Sequence, residues 1–266
     1  MNVAQHLEGL RVALVAFVRY ADRAGLDAPV PTTPAWCVRD LIAHQGMVHR
    51  WAAAVIRGER IDPGAVEGEG RAAADPVEWL RDGAIAVVQA ISDAPEDLDV
   101  LVFLRDAPGA REFWARRQCH ETTMHAVDAL AASLGRYPRA ADTAISTDVA
   151  LDGIDELLTG FITRDRSRLR SEEPMTIAVR PTDAGQSWLV RVSTDPAVTT
   201  RHPASVVEQG SVVEQSSVVE LVETTPDIVL EGTAVQLYLS LWNRSDEVIP
   251  EGDWDLWVEG AQIRWS

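Results

Sequence analysis

The chain has 266 residues, 46% hydrophobic and 24% charged, enough for one large domain or two modest ones with separate cores. A formal net charge of −17 and a pI near 4.7 argue against nucleic-acid binding, which needs clustered Lys and Arg to displace counterions from phosphates. No apolar run reaches the roughly 20 residues that cross a bilayer, and the first segment lacks the basic leader and cleavage site of a secretory signal. Cys37 and Cys119 lie far apart with no CxxC pair, so a reduced, cytoplasmic setting is expected.

Residues 4–24 place Leu7, Leu10, Leu14, Phe17 and Val18 at three- and four-residue intervals, which predicts an amphipathic first helix. Pro31 to Asp40 reads as a helix start, and Leu41 to Ile56 continues with good helix formers broken only by Gly46, giving a second helix. Residues 57–75, rich in Gly, Glu and Pro, read as a solvated loop before a third helix over Val77 to Ile91. Ala110 to Ser133 forms a long fourth helix that stops at Gly135 and Pro138. Asp142 to Arg164 adds one more helical segment, with Ile154, Leu157, Leu158 and Phe161 on one side.

Beyond Arg170 the texture changes. Met175 to Val179 and Trp188 to Ser193 are short β-rich runs separated by Pro181, Asp183 and Gly185, and they predict a hairpin. Residues 202–225 hold near-copies of one unit, SVVEQ, SVVEQ and SVVEL, too short for a solenoid repeat. They resemble segments translated from dispersed repeats of high-GC actinobacterial genomes and read as an inserted loop, with an edge strand as the alternative. A strand over DIVLEG, a helix over Thr233 to Trp242 and a final aromatic segment close the chain. The fold class is therefore α+β: a helical bundle over 1–170 followed by a small α+β domain over 171–266.

Within the fourth helix, Glu121 and His125 stand one turn apart and project from one face, where a carboxylate and an imidazole can share a metal. A catalytic ion commonly takes three protein ligands and keeps an open position, so a third is expected from another element. The second helix offers His44 and His49, which lie about 140° apart around the axis and cannot easily face one ion together. Spacing alone leaves the choice open, and an isolated ExxxH pair is also compatible with an ordinary helix contact. His120, about 100° around from Glu121, is expected to support the site or to pack. Asp40 is either an acceptor that orients His44 or the N3 residue of a capping box begun by Cys37.

These residues carry a resemblance. Trp36-Cys-Val-Arg-Asp-Leu-Ile-Ala-His44 is similar to the W-[ST]-V-x-D-L-x-x-H segment of the mycothiol-dependent maleylpyruvate isomerase family, and His120-Glu121-x-x-x-His125-x-x-Asp128-Ala129 is similar to its second segment. The run Leu237-Tyr-Leu-Ser-Leu-Trp-Asn-Arg244, with Gly252-Asp253 after it, resembles the family's C-terminal domain. Cys37 departs from the pattern by replacing the capping hydroxyl.

The resemblance implies a DinB-like four-helix bundle that binds one divalent metal, zinc first among the candidates, through His44, Glu121 and His125. Asp40, His120 and Asp128 would support the ligands, and Arg244 would steer a substrate carboxylate. It implies no protein nucleophile. An external thiol, mycothiol, would be the cosubstrate, acting on a cis-enoyl acid as in an isomerase or on another electrophile as in an S-transferase. Partners would then be small molecules, with no nucleic acid or membrane, and the protein a monomer or weak oligomer. A non-catalytic metal-binding or regulatory module on the same fold is the alternative.

Overall fold

The computed structural model describes residues 1–104, 107–203 and 225–263. Helices α1 (Val3–Ala24), α2 (Val38–Ile56), α4 (Pro76–Asp93) and α5 (Ala110–Leu134) form the four-helix bundle, and the shorter α3 (Pro63–Ala72) packs on α2. Local chemistry sets their ends. Asn2 and Gln5 cap α1 reciprocally, each side chain accepting from the other's backbone N–H. Asp75 caps α4 ahead of Pro76, and α5 ends on Gly135 in the left-handed region at φ +67°.

Helix α3 corrects the reading of 57–75 as a loop. Asp62 accepts from the backbone of Gly64 and Ala65, and Pro63 occupies the first helical position, so a start signal outweighs three glycines. Tertiary packing then retains it: a Cβ on Gly70 would press into the Trp79 indole and the Ala43 backbone.

Gly46 has the same explanation. Trp79 lies so close to it that any Cβ would overlap the ring, and Arg50 stacks 3.8 Å over that indole while donating to the Gly46 and Trp79 carbonyls. Alanine would gain about 1 kcal/mol of helix propensity but incur about 1–3 kcal/mol of overpacking. Gly46→Ala is therefore expected to lower the urea midpoint of unfolding, and a raised midpoint would show that the ring moves freely.

After a short 3-10 turn at Ala140–Asp142, α6 (Thr147–Asp155) continues directly into a π-helical turn over Glu156–Phe161, so the helix expected over Asp142 to Arg164 is shorter and changes winding part-way. Ile154, Leu157, Leu158 and Phe161 are nevertheless buried together. Strands β1 (Met175–Pro181) and β2 (Gln186–Val192) form the expected antiparallel hairpin, with Ile177 opposite Val190 and Val179 opposite Trp188. β3 (Val198–Pro203) pairs with β2, and β4 (Ile228–Gly232) runs parallel to β1, giving the order β3-β2-β1-β4. Helices α7 (Ala234–Leu241) and α8 (Asp255–Gly260) complete the domain. The SVVE repeats fall within 204–224, outside the described residues.

One continuous core joins bundle and sheet, running from Trp114 and Phe113 on α5 through Leu157 and Phe161 to Trp188, Leu237 and Tyr238. Among the described residues, no helix is long and apolar enough to cross a membrane.

Candidate metal centre

Helix α5 is buried on nearly every side, yet it carries Arg117, Gln118, His120, Glu121, Thr122, Thr123, His125 and Asp128. Buried polar groups persist where partners satisfy them, so this helix is where chemistry collects.

His44, Glu121 and His125 come together. Their ligand atoms all lie within 4.8 Å of one another, with His125 Nε2 3.4 Å and His44 Nε2 3.9 Å from Glu121 Oε1. Ligand atoms at bonds of about 2.0–2.1 Å around a tetrahedral ion sit about 3.4 Å apart, so Glu121 and His125 already stand at that spacing and His44 would move inward to complete the set. The donor set, two imidazoles and one carboxylate, suits zinc, nickel, iron or manganese. Trp36 lies over His44 with ring centroids 4.8 Å apart, walling one side of the cluster.

Two of the three candidate ligands are oriented from behind. Asp128 Oδ2 accepts from His125 Nδ1 at 2.9 Å, which fixes the tautomer that presents Nε2 to the centre. Asp128 is fully buried and is itself held by Thr32 at 2.6 Å and by Arg244, whose Nε and Nη2 donate to its two oxygens. The third Arg244 nitrogen donates to the Trp242 carbonyl. Glu121 receives Arg117 Nη2 at 3.0 Å, and Arg117 in turn bonds the buried Glu156.

These contacts govern protonation. Burial opposes ionisation of Glu121, but Arg117 and the facing His125 and His44 outweigh it and hold the carboxyl well below its ordinary range. Burial likewise pulls His125 down, and hydrogen bonds to Asp128 and Glu121 overcome it, raising the imidazole to about 9. A metal bound at Nε2 would have to displace that proton. A raised pKa contributes stability that is present below the ordinary value of 6.5 and lost as pH rises through about 9. The metal-free protein should therefore lose melting temperature between those limits; a curve flat across the window, or an equal slope in His125→Ala, would contradict the assignment.

The other expected residues are placed as follows. Asp40 accepts from the Cys37 backbone N–H and thiol and from Arg71, so it caps α2 and does not touch His44. The side chain near His44 Nδ1 is Glu67 on α3, at 3.9 Å, missed because its segment reads as a loop. The Asp62-Pro63 pair was the signal that could have found it. His49 turns away to Gln45 and Thr122, and burial pushes it down to about 3. Cys119 is pushed up to about 12 by burial, the wrong direction for a nucleophile.

His120 joins a separate cluster. Its Nε2 donates to Asp152 at 2.8 Å, its Nδ1 meets the Tyr238 hydroxyl at 3.0 Å, and His6 Nε2 approaches the same Asp152 oxygen at 3.2 Å. Arg116 also donates to that oxygen, at 2.7 Å, supplying the positive charge that a cation would bring. This trio is an ion-pair network tying α1, α5 and α6 to the C-terminal domain. His6 could be assigned no partner from sequence, because Asp152 lies far along the chain.

Two cavities flank these elements. One of about 530 Å³ runs along α1 and contains none of the three ligands. A smaller one, about 330 Å³, is lined by His44 and Glu121 themselves.

The mycothiol maleylpyruvate isomerase N-terminal domain matches residues 7–130, and the corresponding C-terminal domain matches 148–259. The chain belongs to the mycothiol-dependent maleylpyruvate isomerase family. Solved structures agree in fold: a mycothiol-dependent maleylpyruvate isomerase and a histidine-to-alanine mutant of a mycothiol-dependent maleylpyruvate isomerase superpose with TM-scores of 0.57 and 0.60. In each case the match is 13% identical and covers 94% of this chain and 93% of the other. Among curated proteins, none matches the chain by sequence. In this maleylpyruvate isomerase family member the three candidate ligands lie on α2 and α5, and Arg244, just past the end of α7, reaches His125 through Asp128.

Proposed function

We propose that this family member is a divalent-metal-dependent enzyme that activates a low-molecular-weight thiol, mycothiol, for cis-trans isomerisation of an enoyl acid or for transfer to another electrophile. The observation that carries this reading is the convergence of His44, Glu121 and His125, with Asp128 setting the tautomer of His125. When bound, the ion supplies a Lewis acid that favours a thiolate over a thiol near neutral pH.

The chain's own residues do the rest. Arg117 keeps Glu121 ionised, Asp128 aims His125 Nε2 inward, and Trp36 limits water on one side. Arg244, engaged with Asp128, acts on the centre as a positioning residue; reaching a substrate carboxylate would require some of its nitrogens to turn outward. In an isomerisation the thiolate sulfur bonds to one alkene carbon, and the π pair moves into the conjugated carbonyl. The remaining single bond rotates, and expulsion of the thiolate restores the alkene with no net oxidation or proton change.

The test is metal content by elemental mass spectrometry together with mycothiol-dependent conversion of cis-enoyl acids and consumption of the thiol by electrophiles. About one ion per chain with thiol-dependent turnover is expected. Bound metal with no turnover across both substrate classes would favour a non-catalytic module, and no metal after reconstitution would overturn the proposal.

A further inference from the structure

His44 stands apart from the other two candidate ligands. Asp128 accepts from His125 Nδ1 and Arg117 donates to Glu121, whereas His44 Nδ1 has no partner within hydrogen-bond distance among the described residues. A metal-bound histidine almost always donates its second ring N–H to a carboxylate, a carbonyl or water, which fixes the ring and raises the basicity of the ligating nitrogen. The carboxylate nearest His44 Nδ1 is Glu67, with Oε1 3.9 Å away, while His44 Nε2 faces Glu121 from the other side of the ring.

Helix α3 aims Glu67 by packing. Glu67, Gly70 and Arg71 are three and four residues apart and share one face of the helix. Gly70 seats that face on α2 next to His44, since a Cβ there would lie 3.0 Å from the Ala43 backbone. Arg71 Nη2 donates to the same Glu67 oxygen at 2.9 Å, and Arg71 Nε donates to Asp40 Oδ1 at 3.0 Å. Asp40, in the first turn of α2, is thereby linked to Glu67 through Arg71. A carboxylate oxygen accepts from more than one donor, so the bond to Arg71 leaves capacity for His44. Closing 3.9 Å to the usual separation of about 2.9 Å takes only a small rotation of the Glu67 side chain. As a surface ion pair alone, Arg71 and Glu67 would add little, because their side chains are 45% and 20% exposed. The placement of Glu67 behind His44 sets it apart from such a pair.

We propose that Glu67 is the positioning residue of His44, accepting from Nδ1 when an ion is bound at Nε2, with Arg71 and Asp40 holding the carboxylate in place. The proposal rests on the metal reading of His44, Glu121 and His125. It gives all three candidate ligands an orienting partner, two from within α5 and one from α3.

The experiment measures zinc affinity of the full chain by competition with a chromophoric chelator, for the natural protein and for Glu67→Gln, Glu67→Ala and Glu69→Gln. Glu69 is exposed on the same helix and controls for the loss of one negative charge. Affinity should fall about tenfold in Glu67→Gln, which keeps an acceptor oxygen, by about 10–100-fold in Glu67→Ala, and by less than about twofold in Glu69→Gln. Proton NMR of the zinc-loaded proteins, assigned through bonds to the His44 ring, supplies a signature that a merely structural role would not move. The His44 Nδ1–H signal should lie downfield in the natural protein, move upfield in Glu67→Gln and be lost to solvent exchange in Glu67→Ala. Undiminished zinc affinity in Glu67→Ala, or an unchanged His44 Nδ1–H signal, would overturn the proposal, as would an equal loss of affinity in Glu69→Gln. If the natural protein binds zinc and loses it in His125→Ala while Glu67→Ala binds normally, only the role of Glu67 fails. If the natural protein binds no zinc after reconstitution, the metal reading fails and the role of Glu67 falls with it.

Discussion

Replacing His125 with alanine is expected to give a folded protein that binds metal at least about tenfold more weakly and loses thiol-dependent turnover by more than about 100-fold. Loss of an outer-shell partner alone costs about 10–100-fold in affinity or activity, and His125 is one of the three candidate ligands in the cluster among the described residues. The fold should survive because Asp128 keeps Thr32 and Arg244 when the imidazole is gone. Elemental analysis of the natural and variant proteins, prepared without an affinity tag or chelator, gives the answer. Full retention of metal in the variant would remove His125 from the ligand set and with it the geometric basis of the proposed chemistry.

Asp128→Asn probes the layer behind the ligands and should affect two quantities at once. The carboxylate is fully buried, and Arg244 and His125 outweigh its burial to hold it ionised well below its ordinary range. Removing its charge leaves the partly exposed Arg244 guanidinium without its anion, so the loss of stability should fall below the about 3–5 kcal/mol of a fully buried pair. The same change deprives His125 Nδ1 of its charged acceptor, so metal affinity should fall by about 10–100-fold. Urea unfolding of the metal-free protein reads the first effect, and competition with a chromophoric chelator reads the second. A destabilised variant with undiminished metal affinity would separate the Arg244–Asp128 pair from the metal centre and make it purely a domain junction.

Much of this arrangement is legible in residue spacing. The 3.6-residue period of the apolar positions marks α1, α2, α4 and α5, the hairpin of β1 and β2 is visible in short β-branched runs, and one helical turn between Glu121 and His125 puts both on one face. Helix α3 was hidden because Gly64, Gly68 and Gly70 lower local propensity, and packing against α2 and Trp79 restores what propensity withholds. Asp40 was ambiguous because one N3 residue can cap the backbone or turn to the next helical turn, and only the contacts of Cys37 and Arg71 select the cap.

By itself, the sequence determined the types of α1, α2, α4 and α5 and of the β1–β2 hairpin, the family resemblance and, through that resemblance, the three candidate ligands, because these depend on short-range periodicity and on motifs within single elements. Tertiary structure decided which long-range partners the charged residues meet: His6 with Asp152, Arg117 with Glu156, Glu67 beside His44, and Arg244 with Asp128. Such pairings join residues distant along the chain, and the low dielectric of a shared core gives each charge a strong reason to find a partner that no local pattern specifies.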